Sequence, residues 1–591
     1  MYHMTGVVLV FSCLLHEQKP TYSLSAVPFD GGGGGKDGWV SCNKDGRVSC
    51  IDLAMKTIMV EEIFRAKEYP DIALLTHSLG LGSSAQKSPR QSGISTTRDI
   101  QNALEQVRNS SCAVFPLQTD QWLKRIFSAK CLDLHVKPSQ QRLDRFLYTI
   151  QNNSVKSSQS SSFASLNFSV AGLGPLATAA VAAMLLELQD THKILSLDLS
   201  GNMLADAGCV TIAEMLTRHQ SLTHLDLRSN NIGVEGGVAL FQALELNSSL
   251  TELNLGLVAG GSRNRVGLKV AEQIRHALQH SRSLQYLFLK GNGMGPEGAK
   301  EFAEGLQGNT CLKRLDLGLN NLKDEGTMHL AAALERGAQL ESLDLSQNQI
   351  STRGAMCLEQ AMKSGNFFIQ SLDLSSNDLN ARAATLLGTA LSTNSQLKSL
   401  LLDNNQLGEE GGKGLAKGLQ GAVTLDTLHL RNTALHDCGV EAIASAMHGC
   451  KSITKLDLSS NGVGDPGAGA IAALLRHNHA LAQLILDDNN VGDIGGLALG
   501  HALLSNTALH SLSLKGNSVH DATGSALVQG LMVTSTLTSL DLDGNDISYP
   551  IHTSIRKLIG EHARAWALSA VPRLKREVRD RVDVYGVGFC S

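Results

Sequence analysis

The chain has 591 residues, is 42% hydrophobic but only 4% aromatic, and carries a formal net charge of -4. That length calls for several domains or one long array of repeats with an aliphatic core, and the near-neutral balance gives no electrostatic footprint for nucleic-acid binding. No apolar run reaches the roughly 18–20 residues that span a bilayer, and the eleven cysteines include no C-x-x-C pair, which argues against a zinc site or disulfide framework and for reduced thiols in a cytoplasmic protein.

In chain order, residues 1–81 read as a small β-rich region. Residues 7–15 are apolar, and they read as a buried strand rather than a signal peptide, because no Lys or Arg precedes them. The glycine run 31–36 has Asp37 where a phosphate loop would need Ser or Thr to hold magnesium. Around Asp45-Gly46 two short strands predict a hairpin. Residues 82–98, rich in Ser, Gly, Thr and Gln, read as a disordered linker. Residues 99–162 read as a helical segment with a degenerate repeat and a Ser-rich linker, 152–162. The sequons at Asn109, Asn152, Asn167 and Asn247 read as chance matches.

From residue 163 to 547 one period dominates. The pattern L-x-x-L-x-L-x-x-N-x-L restarts at Ile194, Leu222, Leu250, Leu284, Leu312, Leu340, Ile369, Leu397, Leu425, Ile453, Leu481, Leu509 and Leu537. The step is 28 residues except for 29 after Leu340 and 34 after Leu250. Weaker copies fall at Leu166-Asn167-Phe168 and at Leu132-Asp133-Leu134. The first half of each unit alternates, as in Leu343-Asp344-Leu345, with the period of a half-buried strand. The second half has apolar pairs four apart, such as Leu240/Leu244, Leu330/Leu334 and Leu415/Leu419, which line one face of a helix. One unit cannot bury its own apolar face, so units must stack. Strands about 4.8 Å apart and helices about 8–10 Å apart cannot stack straight, which predicts a curved rod with strands inside.

The ninth position is asparagine in eleven of the thirteen units, from Asn202 to Asn545. An amide both donates and accepts, so it can tie its loop to the loops beside it. Val258 and Thr433 break the row, and local irregularity is expected at both.

With this period, core pattern and helical second half, the chain resembles ribonuclease-inhibitor-type leucine-rich repeats. That family includes ribonuclease inhibitor, the Ran GTPase-activating protein and the repeat ends of NOD-like receptors. The resemblance implies an α/β leucine-rich-repeat solenoid, a curved horseshoe with a parallel sheet on the concave face and helices on the convex one. It specifies fold far better than function.

Residues 548–591 read as a helical cap that Pro572 interrupts, with a basic stretch from Arg573 to Arg581 that also fits a partner or a membrane surface. Two G-x-G-x-x-G strings, 293–298 and 462–467, stand between strand and helix, as in a dinucleotide fingerprint. Because the glycine pair recurs as Gly233/Gly236, Gly408/Gly411 and Gly492/Gly495, the repeat consensus explains it better. His477-Asn478-His479 fits a helix C-terminus rather than a metal site. No cofactor is expected, and no Ser, His and Asp group as a triad.

The third, fifth and seventh residues of each unit should face outward from the strands. They include eleven acids and six bases, so the face is net negative. The acidic fifth position fits either attraction of a basic partner or plain repeat consensus. Against this background Tyr286 and Phe288 stand beside Lys290, just after the inserted Gly260-Gly261-Ser262-Arg263-Asn264-Arg265. Exposed aromatics are enriched in binding hot spots. The expected partner-binding residues are Tyr286, Phe288, Lys290, Arg263, Arg265, Glu252, Asn254, Arg314, Asp316 and Asp344, with Leu401, Asp403, Ile485 and Asp487 as lesser candidates. The insertion should protrude at the rim, or else fold over the two aromatics and bury them. These residues predict a non-enzymatic scaffold or regulator that binds a protein, either a basic one or a small GTPase. The alternatives are a GTPase activator of the Ran-directed kind and an immune regulator without an NTPase domain.

Overall fold

A computed structural model describes residues 119–157, 164–190, 193–258 and 260–584. The expectations for residues 1–118, including the hairpin, the glycine run and the linker 82–98, lie outside the described residues, as do 158–162 of the Ser-rich stretch. The chain divides into two compact units. The larger includes everything described up to Thr534 together with Leu540–Ile555, and the described part of the other comprises Ser535–Ser539 and residues 556–584.

Two helices come first, α1 (Thr119–Asp133) and α2 (Gln140–Ser157). Strands and helices then alternate: β1 (Ala164–Asn167), α3 (Pro175–Leu188), β2 (Ile194–Asp198), α4 (Ala205–Arg218), β3 (His224–Asp226), α5 (Val234–Leu246) and β4 (Glu252–Asn254). The middle of the array is α6 (Ala271–His280), β5 (Tyr286–Phe288), α7 (Gly295–Leu306), β6 (Arg314–Asp316), α8 (Lys323–Glu335), β7 (Ser342–Asp344), α9 (Thr352–Lys363) and β8 (Ser371–Asp373). It continues with α10 (Ala381–Leu391), β9 (Ser399–Leu401), α11 (Gly408–Leu419), β10 (Thr427–His429), α12 (His436–Met447) and β11 (Lys455–Asp457). The last elements are α13 (Asp465–His477), β12 (Gln483–Ile485), α14 (Asp493–Leu503), β13 (Ser511–Ser513), α15 (Asp521–Val533), β14 (Ser539–Asp541) and α16 (Tyr549–Val584).

The fourteen strands form one open sheet in chain order. From β2 to β13 each pairs in parallel with the next at a constant register, as in Leu197↔Leu225 and Leu343↔Leu372. The degenerate copy at Leu166 is a strand, and it pairs Leu166 with Leu197. The copy expected at Leu132 is not a strand. Leu132 and Asp133 end α1, and Asp133 instead accepts from Leu176 N and Ala177 N at the start of α3, both at 3.0 Å.

The core is aliphatic and lies between sheet and helices. Leu197, Leu225, Leu253 and Leu287 are all 1% exposed or less, as are Leu330, Leu334, Leu415 and Leu419 from the helices. Each buried leucine contributes roughly 1.5–3 kcal/mol by leaving water, and one side chain per strand and per helix turn repeats that contribution along the array.

Three hydrogen-bond ladders hold neighbouring units in phase. The first is the expected asparagine row. Asn348 Nδ2 donates to Leu317 O (2.9 Å) and Ser346 O (3.1 Å), while its Oδ1 accepts from Asn320 N (3.0 Å) and Leu322 N (3.2 Å) of the preceding unit. Thr433 keeps its place: its single Oγ1–H has two acceptors in reach, Leu430 O at 2.7 Å and Asn461 Oδ1 at 2.9 Å. At Val258 the row does not fail either. The six extra residues enter before the asparagine, and Asn264 takes the slot, donating to Leu227 O (2.9 Å) and Leu255 O (3.0 Å) and accepting from Asn230 N and Ile232 N, both at 3.0 Å.

The second ladder, at the return loop, was not anticipated. Asn247, Asn309, Asn394, Asn478 and Asn506 lie three residues before a unit's first leucine and are all buried. Asn478 Nδ2 donates back to Met447 O (2.9 Å) and Cys450 O (3.0 Å), and Oδ1 accepts from Ala480 N and Leu481 N, both at 2.9 Å. Burial of Asn247 in this ladder fits its sequon being a chance match.

The third ladder caps helices. Asp206 Oδ1 accepts from Gly233 N (2.7 Å) and Gly236 N (3.0 Å) at the start of the next helix, and Asp324, Asp437, Asp465 and Asp493 repeat the arrangement. This accounts for the glycine pairs Gly233/Gly236, Gly464/Gly467 and Gly492/Gly495, whereas Gly408 N donates to Thr433 O at 3.0 Å. A Cβ on Gly236 would stand 2.8 Å from Cys209 Cβ and 2.9 Å from Asp206 Oδ1.

The final helix differs from expectation. α16 runs unbroken through Pro572, which forgoes one backbone bond rather than ending the helix. At its start Ile551 lies over Gly524 of α15, where a Cβ would be 2.6 Å from Ile551 Cγ2. Asn152 to Ser157 likewise belong to α2 rather than to a linker.

Candidate interaction face of the sheet

In each unit the fourth residue, at the middle of the strand, points into the core and its neighbours point away from the helices, which gives the alternating burial of β4 to β9. The register then fixes which outward side chains are neighbours. Glu252, Tyr286 and Arg314 lie side by side, and so do Asn254, Phe288, Asp316 and Asp344. Seven of the expected residues therefore share one patch across β4 to β7. Lys290 is two residues beyond Phe288 on the same face.

Tyr286 and Phe288 are half-buried on either side of the fully buried Leu287. The Arg314 guanidinium stacks over the Phe288 ring with 5.3 Å from Cζ to the ring centre. The insertion does not cover them. Val258 N donates to Ser229 Oγ at 2.7 Å, and Ser262 bridges to Asn230, so the loop bonds back toward the preceding unit. Gly260, Gly261, Ser262, Arg263 and Arg265 are exposed. Arg263 and Arg265 thus stand on the turn after β4 rather than on the strand face.

The acidic fifth position has a local role. Asp198, Asp226, Asp316, Asp344, Asp373, Asp457 and Asp541 each accept from the backbone N–H two residues on, between 2.8 and 3.0 Å. The N–H groups on either side of it donate to the next strand, as Leu199 N does to Asp226 O and Gly201 N to Arg228 O, and this one is left for a carboxylate. The cost is crowding of like charges at strand spacing. Desolvation by burial, then Asp344, pushes the Asp316 carboxyl up to about 6, and desolvation also raises Asp373, with Asp344 and Asp403 adding to the rise. Burial likewise raises Asp226 against the pull of Arg228, which grips it at 2.6 Å.

Leu401 and Ile485 depart from the acid at position five, and in both units the acid moves to position seven. Asp403 Oδ1 accepts from Arg431 N at 2.8 Å, and Asp487 Oδ1 from Lys515 N at 3.1 Å. Those receiving strands have His429 and Ser513 at position five, and Ser513 Oγ also donates to Asp487. These four candidates are not brought to the aromatic patch. β9 is four strands beyond β5, about 19 Å along the sheet. His429, which sequence reasoning passed over, sits between Leu401 and Asp457, with Nδ1 3.7 Å from Asp403 Oδ2 and a buried Nε2 that has no hydrogen-bond partner.

The glycine strings are accounted for by capping or turn geometry. Gly464 N (2.8 Å) and Gly467 N (2.9 Å) at the start of α13 are taken by Asp437, the N–H groups a phosphate would need. Gly293 and Gly295 both have left-handed backbones, φ +73 and +66, which their turn requires. Among the described residues, no group of three or more His, Cys, Asp or Glu is placed to hold a metal. None of the described helices is long and apolar enough to cross a membrane. The six described cysteines are free.

Together the sheet, the ladders and the helix layer define a leucine-rich-repeat solenoid. Eight segments match the Leucine Rich repeat family: residues 192–213, 218–241, 280–303, 308–331, 339–358, 365–388, 449–472 and 534–551. No curated protein matches the chain. Among solved structures, an internalin from Listeria monocytogenes is 17% identical over 71% of this chain and 97% of its own, with a TM-score of 0.35. A structure titled Leiomodin-1 Actin-Binding Site 2 is 19% identical over 25% of this chain and 88% of its own, with a TM-score of 0.23. Neither likeness bears on function.

Proposed function

We propose that this chain is a non-enzymatic, cytoplasmic docking scaffold whose strand face binds a protein partner around Tyr286 and Phe288. The observation that carries this reading is the placement of two half-buried aromatics on a face whose other strands present mainly Ser, Thr, Asp and charged residues. Apolar area left in water favours a partner that covers it, and aromatic and Arg side chains dominate binding energy where they are desolvated. Glu252, Asn254, Lys290, Arg314 and Asp316 supply the polar rim, and the acidic surplus favours a basic partner. A photo-crosslinking residue placed at 288 should trap a discrete partner that the same residue at Lys300, on the helix side, does not. The double variant Tyr286→Ala/Phe288→Ala should lose that partner in a pull-down, and undiminished capture of every partner would overturn the reading.

A second reading, GTPase activation resembling the Ran-directed activator, draws on the exposed Arg263 and Arg265. Acceleration of GTP hydrolysis by a small GTPase, lost in Arg263→Ala/Arg265→Ala, would favour it over the scaffold.

A further inference from the structure

Gly318 follows β6 on the strand face, between Lys290 and Ser346 in the seventh-position row. A Cβ at Gly318 would lie 2.9 Å from Ser346 Oγ, 3.2 Å from Asp316 Oδ1 and 3.4 Å from Asp344 Oδ1. Three oxygens from two adjacent strands, Asp316 on one and Asp344 and Ser346 on the next, therefore surround the small hollow that the missing side chain leaves. Both Oδ1 atoms are held in place by backbone N–H groups, from Gly318 at 2.9 Å and from Ser346 at 2.8 Å.

Ser346 is the unusual member. It is 4% exposed, and its Oγ is buried without a hydrogen-bond partner. The serine at the same position of another unit, Ser459, donates to its own Asp457 at 2.5 Å. Ser346 Oγ faces the hollow with its bonding capacity unused, and an unmade buried hydrogen bond is costly. Charge points the same way: Asp316, Asp344 and Asp373 form an unbroken run of carboxylates along the sheet.

We propose that this hollow is the seat of a lysine side chain of the docked partner, whose ε-ammonium is received by Asp316, Asp344 and Ser346. The proposal rests on the docking reading above and specifies its chemistry. An ammonium has three N–H donors, and three oxygens converge here. One positive charge also counters the rise that burial, and then Asp344, give the Asp316 carboxyl, to about 6. The hollow lies beside the Phe288 row, because Phe288 pairs directly with Asp316. A lysine would thus enter next to the aromatic anchor.

The test uses the full chain and a fluorescently labelled decalysine peptide, followed by anisotropy at fixed ionic strength. Wild type should bind it, and a peptide acetylated on every lysine should not bind. Gly318→Ala, which fills the hollow at a residue without a left-handed backbone, should weaken binding at least tenfold. Ser346→Ala should weaken it severalfold, while Ser459→Ala should leave it unchanged. Binding should also weaken as pH falls through about 6 and Asp316 takes up its proton. The near-isosteric Ser346→Ala keeps the test valid should Gly318→Ala fold poorly. Equal binding by wild type, Gly318→Ala and Ser346→Ala would overturn the proposal, since diffuse acidity would then explain the attraction. A saturable calorimetric response to calcium chloride that Gly318→Ala abolishes would overturn it in favour of a metal site. Loss of partner capture in Tyr286→Ala/Phe288→Ala but not in Gly318→Ala would retain the docking face and reject the lysine seat.

Discussion

Two parts of the strand face lose the same consensus acid, and they compensate for it differently. At β9 and β12 the fifth position becomes Leu401 or Ile485, and an acid two residues on caps the next strand. At β5 the fifth position becomes Phe288, and the seventh is Lys290, which can cap nothing. The preceding seventh position is Gly256, and Asn254 beside Phe288 uses its Oδ1 to accept from Gly256 N at 3.0 Å, so none of these side chains accepts from Lys290 N–H. The first pair of departures rearranges the sheet's own hydrogen bonds. The second gives up such a bond and gains aromatic surface instead. An apolar residue on this face is therefore evidence for binding only where the lost acid has not been moved elsewhere.

The comparison can be tested from its largest expected effect downward. Asn264 belongs to the inserted loop before β5, while Asn461 lies in the regular part near β11, and both are 1% exposed. Replacing either by Leu should cost about 4 kcal/mol, because several buried backbone groups lose partners at once. A markedly smaller loss for Asn264→Leu in urea unfolding would mean that the insertion has loosened that unit.

Next comes charge. The folded Asp316 carboxyl titrates at about 6, above the ordinary value of about 3.9. Between those pH values the native state binds its proton more tightly than the unfolded chain does. The ionised group therefore opposes folding fully above pH 6 and not at all below the unfolded value. Asp316→Asn should stabilise the chain by about 2 kcal/mol at pH 7.5 and by almost nothing at pH 4. The urea midpoint at the two pH values decides it, and an equal gain at both would refute the electrostatic cause.

Asp403→Ala and Asp487→Ala should each cost about 1–2 kcal/mol, since each leaves a strand-end N–H uncapped, and both should bind partner normally. Tyr286→Ala/Phe288→Ala should change stability by about 1 kcal/mol or less, as expected for half-exposed positions, yet lose the partner. If the first pair lost binding, or the second chiefly lost stability, the distinction between the two regions would fall.

Much of this fold was legible in the sequence because its signals are periodic. The leucines of the strands, the i, i+4 pairs of the helices and the first asparagine row recur every 28 residues and are recovered residue by residue. What was missed was masked by local context. Asn264 continues the row, and the Asn264-Arg265-Val266 string could have shown it, but counting from Leu250 placed Val258 in the slot. The second asparagine row skips several units, where His219, Ala422 and Cys450 stand instead, so its period was harder to see. The aspartate caps act across units, and sequence distance hid the partner of each. Leu132-Asp133-Leu134 matched the strand alternation over three residues, too short to exclude the helix it ends. Pro572 read as a stop because a local rule was applied without its backbone context. At the candidate site, the patch across β4 to β7 followed from register alone, whereas the hollow over Gly318 did not, because a glycine announces no function in one dimension.

The inserted loop has a further consequence. Its near end is fixed where Leu255 O receives Asn264 Nδ2 at 3.0 Å, and its far end where Arg265 N donates to Ile232 O at 2.7 Å. A segment tethered at both ends like this can lengthen or shorten without shifting any strand out of phase, because the spacing of the fixed points does not depend on the chain between them. The turn after β4 is thus a natural splice point, where an epitope or a whole folded module could be carried while the array behind it keeps its pitch.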